Sequence, residues 1–323
     1  MTGPGADRRP GAAPFGGVVD GPALLAIRRQ RLGVLAGIAA YTLWGVFPLV
    51  FRLVDDVAPV EILAHRIVWS FVVVVGVLAT QRRLVEFREV LRDPASLRIL
   101  AVAAVLISIN WLTYIWAVNN EHVLDAALGY YINPLISVAL GVFVLGERLR
   151  RGQRLALTFG AAAVVVLTIA NGAVPWIALV LACSFGGYGY MKKWADVAAL
   201  PSLAVETALL FPFATIGLIV FAQRGELSFM HGSVGRDVIL ASLGVVTAVP
   251  LLLFATAATR IPLSMVGLLQ YLSPTMQLLC GVVILGEDLP PERLIGFGLV
   301  WCALTVLGVD AVGHERHRRS ARH

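Results

Sequence analysis

YYINPLISVALGVFVLGERL, Tyr130 to Leu149, occurs twice in this chain. The second copy is QYLSPTMQLLCGVVILGEDL, Gln270 to Leu289, which lies 140 residues on with no gap. Tyr131 falls on Tyr271, Pro134 on Pro274, Gly141 on Gly281, Gly146 on Gly286 and Glu147 on Glu287. A period this long is not a solenoid repeat. It marks two halves of a duplicated domain, and in an apolar chain that is how many transporters are built.

Composition agrees. The 323 residues are 58% hydrophobic and 14% charged, with mean hydropathy +0.82. A soluble domain carries about 25% charged residues, so this chain reads as an all-α integral membrane protein. The net charge of +6 could suggest nucleic acid. The basic residues, however, sit in short clusters between apolar runs, as topology signals do, and no nucleic-acid partner is expected. Cys183, Cys280 and Cys302 lie inside apolar runs without CxxC or Cys/His spacing, and read as buried apolar thiols. No metal or other cofactor is implied. Arg28-Arg29 precedes an apolar run too long for a signal peptide, so a first membrane helix is the better reading than an export signal.

Apolar runs place helices near 33–53, 62–80, 98–118, 124–145, 154–171, 174–192, 203–222, 238–258, 263–285 and 293–312. Each is long enough for a hydrocarbon core of roughly 30 Å. With the N-terminus in the cytoplasm, the outer segments hold only Arg224, Arg236 and Arg293 of the 26 Lys and Arg. Arg52 and Arg66 lie within helices, and the rest fall inside, which supports ten helices with both termini cytoplasmic. Five helices per half makes the repeats inverted. The expected units are a disordered cytoplasmic stretch 1–32, repeats at 33–171 and 174–312, and a basic cytoplasmic tail 313–323.

Polar groups in hydrocarbon usually face a cavity or a partner. In EILAHRIVWS, Glu61 and His65 share a face at i, i+4 and are candidates for proton coupling, with Arg66 a candidate contact for a substrate carboxylate. An ion-paired cluster with Arg66 reaching for the interface is the competing structural reading. In NWLTYIWAVNN, Asn110, Trp111 and Tyr114 put amide, indole and phenol on one side of a helix, which suits a pocket or, alternatively, interhelical hydrogen bonding. Tyr130, Tyr131 and Asn133 precede Pro134; Gln270, Tyr271 and Ser273 precede Pro274. A proline frees a carbonyl one turn earlier, and matching interruptions in both halves point to a central site. Glu147 and Glu287 read as capping residues. Lys192 and Lys193 read as an inner helix boundary, and Glu206 as a side chain reaching for that interface. Gly33 and Gly37 form a GxxxG packing motif. No P-loop or catalytic motif appears, so no enzyme is expected and transport would run on gradients or exchange.

AYTLWGVFPLVFR, EILAHRIVWS, the run from ISINWLTYIWAVNN to LGERL, and TAVPLLLFATAATRIPLSMVGLLQYLSP resemble the RarD branch of the EamA-type transporters, within the drug/metabolite transporter superfamily. The resemblance spans roughly 33 to 312. It implies ten helices in inverted repeats, a bacterial inner-membrane location, and solute transport in the direction of efflux. It carries no set of site residues. The partners expected are a small-molecule solute, the bilayer, a coupling proton and a second copy in a homodimer. The alternative is a non-transporting membrane protein with a lipid-handling or sensory role.

Overall fold

A computed structural model describes residues 21–143, 151–258, 260–261, 265–266 and 269–320. Expectations for residues 1–20, Glu147, Arg148 and Arg150 lie outside the described residues. The described regular structure is helical throughout. Its helices are α1 (Gly21–Gly45), α2 (Phe47–Arg52), α3 (Pro59–Thr80), α4 (Leu84–Arg92), α5 (Pro94–Asn119), α6 (Val123–Phe143), α7 (Arg151–Asn171), α8 (Trp176–Ala195), α9 (Ala199–Arg224), α10 (Val234–Ala258), α11 (Leu272–Leu279) and α12 (Pro291–Ser320). A π-helical turn, Cys280–Ile284, continues α11.

Eight described helices are long and apolar enough to cross a membrane. Trp176–Ala195 is not one of them, its apolar character diluted by glycines, tyrosines and Lys192–Lys193. Leu272–Ile284 is apolar but short. Large apolar side chains such as Ile169, Phe213 and Val283 are exposed on the outer faces. Water would penalise that surface; lipid does not.

Local chemistry sets the ends. Proline enters the first turn of α2, α3 and α5, where its missing N–H is not needed. Asp93 caps α5 by accepting from Ala95 and Ser96 N–H. Some boundaries differ from expectation. α1 starts at Gly21, inside the stretch read as disordered, and α12 runs on through the basic tail to Ser320. The short amphipathic α4, which carries Arg88 and Arg92, forms between two spans where no helix was placed. Cys183 and Cys302 are exposed and only Cys280 is buried, because the first two face out of an apolar bundle. Gly33 and Gly37 do mark a close approach: a Cβ on Gly33 would lie 2.7 Å from Arg260 Cβ, and one on Gly37 2.7 Å from Leu269 Cδ1.

The packing maps onto itself when each helix is exchanged for its counterpart 140 residues away. α1 packs on α10 as α8 packs on α5; α1 meets α11 as α8 meets α6; α3 meets α10 as α9 meets α5. The pairs α3–α9, α6–α11 and α7–α12 join counterpart to counterpart. The N-caps of α3 and α9, Ala58 and Ala198, have nearly the same backbone angles (φ −55° and −56°) and stand 140 positions apart. The repeated motif itself breaks this equivalence. The first copy runs as one helix through Pro134. In the second, Gln270 and Tyr271 lie in a turn, α11 begins at Leu272, and Pro274 falls in its first turn.

Candidate functional site

A one-residue interruption at Val46 separates α1 from α2, just ahead of Pro48 in the first turn of α2. Phe47 and Phe51, at i and i+4, then face the core together with their rings 5.9 Å apart. Above them lies Arg66 of α3, which is only 4% exposed. Its guanidinium carbon sits 4.1 Å from the Trp111 ring centroid and 5.6 Å from those of Phe47 and Phe51. Its Nε donates to Thr247 Oγ1 of α10 at 3.1 Å. Arg66 therefore does not reach for the interface, nor does it join Glu61. Five residues on an α-helix turn the chain well away from the Glu61 face. A stack on indole contributes about 0.5–2 kcal/mol and a charged hydrogen bond about 1.5–3 kcal/mol. Among the described residues no carboxylate lies within ion-pair distance of Arg66.

Three other expected residues gather around this cation. Tyr114 packs on Phe51 and Tyr130, with centroids at 5.9 and 5.7 Å. Both phenols lie within electrostatic reach of the guanidinium. Asn110 supports them from beneath: it donates to Leu181 O and Ser184 Oγ of α8 and accepts from Tyr130 OH at 3.0 Å. Its amide thus ties α5, α6 and α8 together, the interhelical role weighed against the pocket.

Tyr131 and Tyr271 stand elsewhere. Tyr131, next in sequence to Tyr130, is turned by one helical step toward α11 and α12, where its hydroxyl meets Thr275 Oγ1 at 2.6 Å. With Tyr271, Thr275, Trp301, Leu304 and Thr305 it lines a shallow open groove on the side of the bundle. Asn133 is buried and Gln270 half-buried. Of the nine residues expected to share one cavity, Asn110, Trp111, Tyr114 and Tyr130 therefore gather with Arg66 in a closed aromatic cluster, while Tyr131 and Tyr271 line the lateral groove.

Glu61 and His65 lie on the other side of α3. Glu61 Oε1 accepts from Ser228 N and Phe229 N, tying α3 to the loop after α9. His65 Nε2 is 3.9 Å from that oxygen, and the ring packs on Phe229 with centroids 4.6 Å apart.

One arrangement was not anticipated. Glu206 is 1% exposed and does not reach for the interface. Lys192 Nζ donates to it at 2.8 Å, Ser202 Oγ at 2.7 Å and Tyr188 OH at 3.1 Å. Lys192 also bonds Ser202 Oγ. Arg66 and Glu206 are each the eighth residue of their helix, α3 and α9, so the repeat puts opposite charges at equivalent positions. Alignment of the two halves at offset 140 carries that signal. Glu287, read as a capping residue, does cap a helix, but one in the other half of the chain. Gly286 adopts φ +71°, which lets the chain turn back. Glu287 then accepts from Val123 N at 2.6 Å and Leu124 N at 3.0 Å, capping α6 from the opposite half.

The EamA-like transporter family model matches the chain twice, at residues 31–169 and 173–309. Protein RarD of Streptomyces exfoliatus is 50% identical over 291 residues, 90% of this chain and 92% of that protein. Protein RarD of Escherichia coli K12 is 40% identical over 289 residues, 90% of this chain and 98% of its own length. A transporter of Bacillus subtilis named YojE is 40% identical over 293 residues, 90% and 98% of the two chains. A solved crystal structure at 20% identity superposes with a TM-score of 0.58, covering 88% of this chain and 99% of that one, which is a likeness of fold.

Proposed function

This chain belongs to the EamA-like transporter family, is of the RarD type and is a multi-pass membrane transporter; we propose that it is secondary-active and exports a small organic solute by alternating access. The observation that carries the reading is the unequal state of equal halves. Packing is interchangeable between the halves, yet the repeated motif is a continuous helix through Pro134 in one and a turn followed by a short helix at Pro274 in the other. If the halves exchange these two conformations, access passes from one side of the membrane to the other.

In this reading ten helices cross a bacterial inner membrane as two inverted five-helix repeats, 33–171 and 174–312, with both termini in the cytoplasm. α8 and the α11 segment are the two spans beyond the eight long apolar helices. Arg66, Trp111, Tyr114 and Tyr130 contact the solute, with Asn110 and Asn133 supporting them. Gln270 and Tyr271 change position as the second motif copy changes shape, with Pro134 and Pro274 as the interruptions. Glu61 and His65 handle the coupling proton. The solute is a metabolite, an amino acid or a drug-like compound. The lateral groove at Tyr131 and Tyr271 favours a second reading, lipid handling without transport of a soluble compound.

The test compares culture media of cells overproducing wild type, Tyr271→Ala, or vector alone. A solute enriched by wild type and less by the variant supports export. Enrichment of none, with lipid composition altered instead, supports the second reading.

A further inference from the structure

A buried cation needs an anion, and Arg66 has none among the described residues. Among the described residues its guanidinium makes one hydrogen bond, from Nε to the neutral Thr247 hydroxyl. The indole of Trp111 covers one face, and among the described residues nothing accepts from the in-plane N–H donors of the terminal nitrogens. The nearby Tyr114 hydroxyl is buried and has no hydrogen-bond partner among the described residues. Two donor groups without acceptors thus share one aromatic compartment.

The equivalent position in the other half is the internal control. Glu206 is just as buried, and there the fold supplies an opposite charge and two hydroxyls. A charge that must stay neutralised in this protein is given its partners. Arg66 is given aromatic walls and an open fork.

Resting on the transport reading above, we propose that Arg66 and Tyr114 bind the carboxylate of the transported solute, and that this solute is a small organic monoanion with an apolar body. The fork of the guanidinium matches a carboxylate bidentately. Phe47, Phe51 and Trp111 favour an aromatic or branched aliphatic body over a hydrated inorganic ion. A zwitterion is disfavoured because no described carboxylate is available in this compartment to receive an ammonium group. Glu61, on the other side of α3, already accepts two backbone N–H groups. A dianion would find one cation only.

The experiment uses the full-length purified protein in detergent and in proteoliposomes. Binding of phenylacetate, benzoate and 4-methylpentanoate is read by tryptophan fluorescence, beside the uncharged amides of the same acids, phenylalanine and chloride. Wild type is expected to bind at least one of the acids, and to bind it better than its amide, phenylalanine or chloride. Arg66→Gln, which removes a buried charge and need not unfold the protein, is expected to weaken that acid by about 30-fold or more, the loss of a charge-assisted pair. Arg66→Lys is expected to retain part of the affinity, and Tyr114→Phe to lose several-fold while melting as wild type does. Equal affinity of wild type for acid and amide, no binding of any acid, or unchanged acid affinity in Arg66→Gln would each overturn the assignment. Counterflow of the bound acid in proteoliposomes separates the two readings. Binding without flux keeps the anion site and removes transport; flux of a neutral solute that Arg66→Gln leaves intact, without acid binding, keeps transport and removes the anion site.

Discussion

Replacing Glu287 should loosen α6 although the two are far apart in sequence. The carboxylate accepts from Val123 N at 2.6 Å and Leu124 N at 3.0 Å, the first N–H groups of that helix. Hydrogen bonds to a charged group are worth about 1.5–3 kcal/mol each, and a carboxylate at a helix N-terminus adds about 0.3–1 kcal/mol. The site is only part-buried, so water recovers some of the loss. Glu287→Ala should therefore cost about 2–3 kcal/mol, and Glu287→Gln, which keeps one acceptor, about 1–2 kcal/mol. At about 2–4 °C per kcal/mol, the alanine variant should melt about 4–12 °C lower. The assay is thermal unfolding in detergent followed by tryptophan fluorescence. Asp288→Asn is the control, since it removes a neighbouring exposed charge with no helix to cap. If Glu287→Gln and Asp288→Asn melt alike, the capping argument fails.

Two further outcomes follow from named contacts. Lys192→Met strands the Glu206 carboxylate and should cost about 2–4 kcal/mol, with Glu206→Gln added to it recovering much of the loss; strictly additive melting shifts would refute the pairing. Asp93 caps α5 outside the membrane span, and hydrogen bonds from Ser96 first and Ala95 next hold its carboxyl below the usual range. A depressed carboxylate contributes stability above its unfolded pKa and loses it as pH falls through the folded one. The gap in melting temperature between wild type and Asp93→Asn should therefore be full at pH 6 and narrow progressively as pH falls below about 4; a gap unchanged between pH 6 and pH 3 would contradict the cap.

The helix plan was largely legible in the sequence because hydrocarbon imposes it. A stretch that must satisfy its own backbone over the membrane thickness has few ways to look. Each expected run overlaps a described helix, and family membership follows from the same stretches. α4 was missed because nine residues with exposed arginines look like a loop until α5 and α9 are there to cover Leu84 and Phe87. The site was legible only in part. Periodicity tells which side chains share a face, not which neighbour that face meets. Tyr130 and Tyr131 look like one feature in sequence, and a single helical step sends one to Arg66 and the other to the lateral groove. Phe47 and Phe51 reach Arg66 from another helix, a contact that no spacing within α2 announces. Glu206 was nearer to hand, since the offset that aligns the tyrosines and prolines also sets it against Arg66.

Alternating access is tested most directly by a thiol at the Arg66 compartment. Cys183, Cys280 and Cys302 are first replaced, and Thr247→Cys, on the α10 face that meets Arg66, is introduced into that background. A membrane-impermeant maleimide is then applied to intact spheroplasts and to inverted vesicles. Exchange between the two conformations predicts labelling from both sides, with a transported solute speeding one and slowing the other. Labelling from one side only, at a rate no solute changes, would contradict it.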